Sequence, residues 1–249
     1  MRIIARIDIK GPNLIKGYQM EGLRIIGDPN LFCIKYYLEN IDEIILLDTV
    51  ATLYGRNNLI EIIKKSTEEV FIPIIAGGGI RTLSDAKKLF NSGADKIYLN
   101  TGGIENPELI SQLSDKYGSQ SIIVSLEAKK KSHGIWHCYS HNGREDKEIE
   151  VGDWINKVQS LGAGEIFVTS IDCDGSMKIL DKDLINYIKN ITKVPLIYGG
   201  GFSSLNDIDY FSDYTICDGI AIGASLHYNK LKIDELKLHM NKKGFSVRF

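Results

Sequence analysis

The sequence predicts an α/β fold, a single (β/α)8 TIM barrel built from two similar half-barrels, with residues 1–249 forming one domain. Three observations favour this architecture: the length, a recurring alternation of strand and helix patterns, and an internal repeat. A barrel of eight strands and eight helices typically needs about 250 residues, which this length matches. Hydrophobic residues make up 43% of the chain and charged residues 25%, the proportions of an ordinary globular protein.

Short runs rich in β-branched residues recur along the chain, separated by segments such as 57–70 and 106–118 with apolar residues three and four positions apart. Near-continuous apolar strands that alternate with amphipathic helices predict a parallel sheet covered by helices. The predicted strands, in order, span residues 2–9, 43–48, 72–77, 96–100, 121–127, 165–170, 194–199 and 219–224. Eight such units favour a closed barrel over an open doubly wound sheet, because the GxGxxG nucleotide fingerprint is absent after the first strand.

Two segments of the first half recur in the second half. IPIIAGGGIRTLSDA (72–86) matches VPLIYGGGFSSLNDI (194–208), and IIARIDIK (3–10) aligns with IIVSLEAK (122–129). Nearly the same offset recurring in different elements indicates a duplication. The repeat therefore predicts two fused half-barrels.

Each repeat places three consecutive glycines at the end of a predicted strand, ahead of a predicted helix start. Glycine lets the backbone turn sharply and bring N–H groups close to an anion, and the next strand in each half ends in small or hydroxyl residues. One phosphate cradle in each half predicts a substrate with two phosphate groups; the alternative is that the glycines only relieve crowding at the barrel rim. The candidate phosphate-binding residues are Gly78, Gly79, Asn100, Thr101, Gly175, Gly200, Gly201, Ala224 and Ser225.

Asp8 and Glu127 end repeat-related strands at the face where barrel enzymes place their catalytic groups. Partial desolvation there raises the pKa of a carboxyl group and suits it to proton transfer. Asp174, after the sixth strand, is a third catalytic candidate, and Asp48 is a weaker one. The alternative for these carboxylates is ion pairing, which we favour for Asp48 alone. The candidate partners are Lys10, Lys16 and Lys129.

Four charged side chains are expected to converge at the opposite, N-terminal end of the barrel interior, because side chains alternate in and out along a strand. They belong to Arg2, Glu43, Lys96 and Glu165. Buried charges are costly unless they are paired, so such a ring should have a purpose. From spacing alone, a salt-bridge plug that caps the barrel is favoured.

The remaining features exclude several classes of protein. A net charge of -2 gives no electrostatic reason to expect nucleic acid or an anionic membrane as partner. Scattered cysteines and an N-terminus that resembles neither a signal peptide nor a membrane span favour a cytoplasmic location. No pattern indicates a metal site or an organic cofactor. His137 and His141 are expected to be solvated loop residues rather than ligands.

The sequence resembles the cyclase-subunit family of imidazole glycerol phosphate synthase along essentially its whole length. The shared stretches are GDP (27–29), FIPIIAGGGIR (71–81), GADKIYLNT (93–101), NPELI (106–110), GSQSIIVSLEAK (118–129), LGAGEIFVTSIDCDG (161–175) and GFSVR (244–248). The sister isomerase of histidine biosynthesis shares the duplicated barrel, but GSQ before the fifth strand and LGAGEI before the sixth are more similar to the cyclase family.

The resemblance implies an ammonia-dependent cyclase and lyase, the synthase subunit of a glutamine amidotransferase that makes imidazole glycerol phosphate from a bis-phosphate substrate. A glutaminase subunit would dock at the N-terminal face of the barrel, where Asp95 matches a contact position. The four-residue charged ring would be the gate for ammonia, which reverses the preference for a plug. Asp8 and Glu127 match the general acid and base, and no cofactor is implied.

Several positions depart from the family pattern. Glu127 replaces an aspartate, which moves the carboxylate by about 1 Å, and a misplacement of that size can cost roughly 100-fold in rate. Arg6 replaces a cysteine, Tyr98 a small residue and Gly199 a serine, and residues 11–13 replace Asp-Gly-Arg. These changes resemble a branch of the family encoded with surface-polysaccharide or flagellar-sugar genes. The alternative function is therefore a paralogue that activates a glutaminase and conducts ammonia for amidation of a sugar.

Overall fold

The computed structural model describes residues 1–51, 59–212 and 217–249 and confirms the predicted (β/α)8 barrel. The strands are β1 (Arg2–Lys10), β2 (Asn13–Tyr18), β3 (Glu21–Gly27), β4 (Glu43–Asp48), β5 (Ile74–Gly77), β6 (Lys96–Leu99), β7 (Ile122–Ser132), β8 (Ile135–Ser140), β9 (Glu145–Glu150), β10 (Glu165–Ser170), β11 (Leu196–Gly199) and β12 (Gly219–Ile222). The helices are α1 (Pro29–Leu38), α2 (Leu59–Thr67), α3 (Leu83–Asn91), α4 (Thr101–Glu105), α5 (Glu108–Tyr117), α6 (Val151–Ser160), α7 (Lys182–Ile191), α8 (Asn206–Ser212), α9 (Ala224–His227) and α10 (Ile233–Lys242).

Eight parallel strands close the barrel in the order β1, β4, β5, β6, β7, β10, β11 and β12, and β12 pairs with β1. All eight match the predicted strands, and only β7 extends more than two residues beyond its predicted bounds. The predicted helical segment 57–70 contains α2, although residues 57 and 58 lie outside the described part of the chain. No helix in the described ranges is long and apolar enough to cross a membrane.

Two antiparallel extensions rise from the C-terminal ends of β1 and β7. β2 and β3 continue from β1, where Asp8 lies opposite Ile15, and β8 and β9 continue from β7, where Glu127 lies opposite Tyr139. The sequence patterns did not predict these four strands. The extensions occupy equivalent places in the two halves, so the duplication includes them.

Apolar side chains form two layers. The larger layer lies between the strands and the helices. The smaller layer fills the interior of the barrel, because alternate residues of each strand point inward. It consists of Ile4, Ile45, Leu47, Ile75, Tyr98, Ile123, Phe167, Ile197 and Ala221.

Two repeat-related glycines make room for the aromatic rings of the inner layer. A Cβ at Gly77 would lie 2.7 Å from Cβ of Tyr98, and one at Gly199 would lie 2.9 Å from the ring of Phe167. The two rings are 5.4 Å apart, between centroids. The space that the Phe167 ring occupies thus explains why position 199 has no side chain.

The repeated aspartates of the two glycine segments start helices. The Asp85 carboxylate accepts hydrogen bonds from the backbone N–H groups of Thr82 and Arg81. The Thr82 hydroxyl accepts the backbone N–H of Asp85, which completes a capping box. Asp207 accepts equivalent bonds from Ser203 and Ser204. Capping satisfies donors that a helix start leaves free, so this part of the repeat has a structural cause.

Candidate active site

The three predicted catalytic carboxylates lie together at the C-terminal mouth of the barrel. Asp8 ends the inward face of β1, Glu127 ends that of β7, and Asp174 follows β10; they are 5%, 4% and 4% exposed. Lys16 connects the first and third, because its ammonium donates to Asp8 at 2.8 Å and to Asp174 at 3.0 and 3.1 Å. The mouth is therefore a buried polar site.

Arg6 completes a buried group of two cations and two anions with Lys16, Asp8 and Asp174. Its Nε donates to Asp8 at 2.8 Å, and its Nη1 lies 3.7 Å from Asp174. Lys16 reaches this group because β2 folds back along β1. Ion pairing with Lys16, the alternative to catalysis, is thus observed for Asp8 and Asp174.

The pKa of Asp8 is lowered to about 2. Burial by itself would raise it, but the charges of Arg6 and Lys16 outweigh the burial and stabilise the carboxylate. Burial would likewise lower the pKa of Arg6, and the charges of Asp8 and Asp174 raise it instead. Asp8 is therefore ionised at every physiological pH.

Glu127 lies in a different environment, with no cation within ion-pair distance among the described residues. One carboxylate oxygen accepts the backbone N–H of Gly143 at 2.7 Å. Burial raises the pKa of Glu127 to about 7, because that hydrogen bond and the charge of Arg6 offset only part of the desolvation. A carboxyl group with this pKa can donate or accept a proton near neutral pH.

A tyrosine and a histidine that sequence reasoning missed hold the backbone of Arg6 in place. His227 lies with Nε2 3.1 Å from the carbonyl oxygen of Arg6 and Nδ1 2.7 Å from the hydroxyl of Tyr36. A carbonyl only accepts, so Nε2 carries the proton and the Tyr36 hydroxyl donates to Nδ1. Burial lowers the pKa of His227 to about 4, with Lys16 contributing, so this histidine is neutral.

The first of two repeat-related pockets lies beside Glu127. Gly78 and Gly79 line it in the left-handed region, with φ of 106° and 68°. Asn100 and Thr101 line the same pocket, so the structure brings together the four candidates predicted for the first half.

Asp48 also lines the first pocket, but its expected ion pair with a lysine is wrong: no lysine pairs with it among the described residues. Its carboxylate accepts the N–H groups of Val50 and Ala51 instead, which closes a tight turn after β4.

The second pocket has the same backbone and lies beside Asp174. Gly200 and Gly201 have φ of 102° and 90°, and Gly223, at φ -113° and ψ -85°, repeats the conformation of Asn100 at φ -119° and ψ -89°. The Ser225 hydroxyl is buried and donates to the carbonyl of Phe202. The second-half candidates Gly175, Gly200, Gly201, Ala224 and Ser225 all line this pocket.

The tips of the two antiparallel extensions meet over the mouth. Asn142 donates to the carbonyl of Met20 at 3.3 Å, and Met20 packs with Tyr139 and Ile171. Met20 and Asn142 have positive φ, 64° and 58°, a conformation that costs L-residues about 1 kcal/mol or more. The extensions therefore cover the site and supply Gly143 to Glu127.

The two histidines expected to be solvated are both partly buried, so that expectation is wrong. His137 lies 3.1 Å from Asp146, and His141 lies 3.2 Å from Glu145. His137 belongs to β8, which was not predicted, and His141 lies in the turn between β8 and β9. Within the described ranges, no group of three histidine, cysteine or carboxylate side chains is arranged to hold a metal ion.

The four charged residues at the N-terminal end form the predicted ring. Arg2 lies 2.8 Å from Glu43 and 3.1 Å from Glu165, and Lys96 lies 3.5 and 2.8 Å from the same two carboxylates. One oxygen of each glutamate, Oε2, is buried without a hydrogen-bond partner among the described residues. The ring thus pairs every charge and keeps two acceptor atoms free.

Asp95 lies exposed at the same end of the barrel, before β6. Its carboxylate accepts the N–H of Ile74 at 2.8 Å, as Asp42 does for Ile3 at 2.7 Å. These aspartates each tie the start of one strand to its neighbour. Asp95 therefore has a structural function, and its expected contact with a partner stays a prediction.

Exposed apolar side chains surround this end of the barrel. Leu38, at the end of α1, is 72% exposed, and Phe71, before β5, is 75% exposed. Tyr37 contacts Phe71 edge to face at 6.2 Å, and Phe249 is 65% exposed. Large exposed apolar groups beside a charged ring are typical of an interaction surface.

Comparisons with known proteins agree on one family. The family model described as "Histidine biosynthesis protein" matches residues 2–232. A protein of Legionella pneumophila is 47% identical over 209 residues, which are 84% of this chain and 99% of that protein. Relatives from Helicobacter hepaticus and Natranaerobius thermophilus are 41% and 36% identical over 99% of this chain and 98% of their own length. All three carry the name imidazole glycerol phosphate synthase subunit HisF.

Proposed function

The chain belongs to the histidine biosynthesis protein family, and we propose that it is the HisF subunit of imidazole glycerol phosphate synthase, an ammonia-dependent cyclase and lyase. Its substrate is a bis-phosphate, and its nitrogen comes from a glutaminase subunit. None of the relatives named above has a name from sugar modification, so the comparisons give the paralogue alternative no support.

The arrangement of the two pockets is the observation that carries this proposal. They share one backbone conformation and lie on either side of a buried group of carboxylates. Exposed N–H groups next to left-handed glycines suit phosphate oxygens. One molecule with a phosphate at each end would span the mouth and present its middle to Asp8 and Glu127.

The environments of the two carboxylates give them different tasks. Glu127 transfers the protons, because its pKa of about 7 allows it both to donate and to accept near neutral pH. Asp8 stays ionised, so it stabilises positive charge that develops on the substrate and orients Lys16 and Arg6. Asp174 holds Lys16 over the site from the other side.

Ammonia enters through the ring at the N-terminal end. The two partnerless oxygens of Glu43 and Glu165 can accept N–H groups of ammonia as it passes. Above the ring, Tyr98 and Phe167 fill the interior, and the Tyr98 hydroxyl is bonded to Ser125 at 2.6 Å. Passage therefore requires the ring and this aromatic pair to move.

The glutaminase docks on the N-terminal face, over the exposed Leu38, Phe71 and Phe249 and beside Asp95. An apolar surface of this kind around the ring would exclude water from the path of ammonia.

Turnover tests the proposed function. Purified protein is supplied with the bis-phosphate substrate and saturating ammonium salt, and imidazole glycerol phosphate is measured. Product is expected from the wild type and from Asp85→Asn, a matched change of carboxylate to amide at a helix cap. Asp8→Asn is expected to reduce turnover at least 100-fold, because it removes the negative charge that balances Arg6 and Lys16. Folded wild-type protein without product would refute the assignment.

A further inference from the structure

The guanidinium group of Arg6 is buried with part of its hydrogen-bonding capacity unused. Arg6 is 3% exposed, its Nε donates to Asp8 at 2.8 Å, and its Nη1 donates to Thr169 at 3.3 Å. Its Nη2, which carries two N–H groups, donates to no residue in the described part of the chain. The two N–H groups of Nη2 are therefore available to an acceptor supplied by a ligand.

The second pocket offers space for that acceptor. Arg6 lines this pocket together with Gly200, Gly201 and Gly223. A Cβ at Gly223 would lie 3.2 Å from the carbonyl oxygen of Arg6 and 3.7 Å from Cε of Lys16. The missing side chain therefore leaves space beside the backbone of Arg6 and the side chain of Lys16.

The neighbouring carboxylates do not repel an anion at this place. Asp174 lines the pocket, but it accepts two hydrogen bonds from Lys16, and Asp8 accepts one bond each from Lys16 and Arg6. Two cations and two anions leave this group with no net charge. Nη1 is 3.7 Å from Asp174, too long for a hydrogen bond, so a ligand can take up the guanidinium without breaking a bond to that carboxylate.

Among the described residues, the first pocket has no such cation. Its carboxyl groups are those of Asp48 and Glu127, and burial raises the pKa of both. The two pockets have the same backbone conformation and different charged side chains, because Arg6 lines only the second.

We propose that Arg6 binds phosphate in the second pocket through Nη2, and that this pocket therefore takes a phosphate dianion more tightly than the first. Charge-assisted hydrogen bonds from a guanidinium to phosphate oxygens are stronger than those that neutral backbone N–H groups donate. That the natural ligand is one end of a bis-phosphate rests on the proposed function. Phosphate binding itself does not depend on turnover.

Titration with inorganic phosphate, followed by amide NMR at a pH near 8, measures the two pockets separately. Gly78 and Thr101 report on the first pocket, and Gly200 and Ser225 report on the second. In the wild type, the second pocket is expected to saturate at a lower phosphate concentration. Arg6→Lys, which keeps the charge and removes the planar guanidinium with its Nη2, is expected to weaken binding there about tenfold and to leave the first pocket unchanged.

Thr101→Val is the matched control, because it removes a hydroxyl from the first pocket only. It is expected to weaken phosphate binding at Gly78 and not at Gly200. Acetate is expected to bind the second pocket at least tenfold more weakly than phosphate, and equal binding of the two anions would overturn the assignment to phosphate.

The side-chain N–H signals of Arg6 in the wild type give a test that needs no folded variant. They are expected to shift with phosphate in parallel with Gly200. Unchanged signals, or an equal loss of affinity in both pockets of Arg6→Lys, would overturn the proposal. Phosphate binding by a protein that forms no imidazole glycerol phosphate would overturn the proposed function and keep the role of Arg6.

Discussion

Asp8 and Glu127 occupy equivalent positions in the two halves, and their carboxyl groups lie in opposite environments. Arg6 and Lys16 both reach Asp8, whereas Glu127 receives a backbone N–H from Gly143. The internal repeat predicts the same task for both carboxylates, because it shows only that each one lies at the end of a predicted strand. The two cations lie two and eight positions from Asp8 in sequence, and their contact with it depends on how β1 and β2 fold together.

At the scale of the residue, we expect Glu127 to make the protein less stable as the pH rises. Its pKa is raised from 4.5 to about 7, so the folded protein disfavours the ionised form that the unfolded chain adopts. Stability is therefore lost between a pH of about 4.5 and 7, by roughly 3 kcal/mol in full. In urea unfolding at pH 5 and pH 8, the change in unfolding free energy of the wild type minus that of Glu127→Gln should equal this loss.

Other titrating groups do not obscure this comparison. The lowered pKa of Asp8 adds stability above its ordinary pKa of 3.8, and that stability is lost as the pH falls toward 2. The lowered pKa of His227 costs stability as the pH falls from 6.5 through about 4, equally in both proteins. The same pH dependence in wild type and Glu127→Gln would show that this carboxyl group titrates normally.

At the scale of the element, the extensions β2–β3 and β8–β9 decide how the site is covered. They supply Lys16 and Gly143, and their tips meet at Met20 and Asn142. The sequence did not predict them, because segments such as NLIKGY and EDKEIE lack the apolar runs of the barrel strands. Their stability comes from pairing with β1 and β7, which no local pattern records.

The turn after β5 gives a prediction at this scale. Gly78→Ala is expected to destabilise the protein by more than 1 kcal/mol and to abolish phosphate binding in the first pocket. Its φ is 106°, and a Cβ there would overlap the carbonyl oxygen of Asp48. Gly134→Ala is the matched control, since Gly134 also has positive φ, 74°, but no atom within 4 Å of its Cβ position.

Thermal unfolding and phosphate titration of the two variants separate the cost of a side chain at positive φ from the cost of steric overlap with Asp48. Gly134→Ala should show only the cost of its backbone conformation and retain both pockets. An equal loss of stability in the two variants, with phosphate binding intact, would mean that the turn at Gly78 accommodates a side chain.

At the scale of the whole molecule, the interior of the barrel separates the ring from the mouth. The ring closes the N-terminal end with four ion pairs, and the inner apolar layer with Tyr98 and Phe167 lies above it. The Tyr98 ring lies in this interior, 5.4 Å from that of Phe167 between centroids. Gly77 and Gly199 make room for the two rings, and only the register of neighbouring strands shows this.

The packing of the interior predicts a coupling between two positions on neighbouring strands. Gly199→Ser is expected to cost about 1–3 kcal/mol, because its Cβ would lie 2.9 Å from the Phe167 ring. In a Phe167→Leu background the same change should cost at least 1 kcal/mol less. Denaturant unfolding of the two single variants and the double variant measures this coupling, and additive costs would contradict it.

Strand positions, the repeat, the charged ring and every phosphate-site candidate were predictable, since each depends on strand ends and on the alternation of side chains along a strand. His227 and Tyr36 were not, because 191 residues separate them and no motif marks either one. Asp48 was assigned the wrong partner for a similar reason. Sequence spacing does not show whether a carboxylate pairs with a lysine or accepts backbone N–H groups of a turn.

The sequence by itself determined the barrel, its duplication and the positions of the phosphate-site candidates, because local apolar patterns and glycine-rich turns specify strands and their ends. Only the tertiary structure decided the environment of each carboxyl group. The pKa of Asp8 and that of Glu127 differ because two cations from β1 and β2 form ion pairs with Asp8, whereas no cation among the described residues forms one with Glu127. Charge and desolvation act over a few ångströms in space, so the ionisation of a site follows from the folded chain.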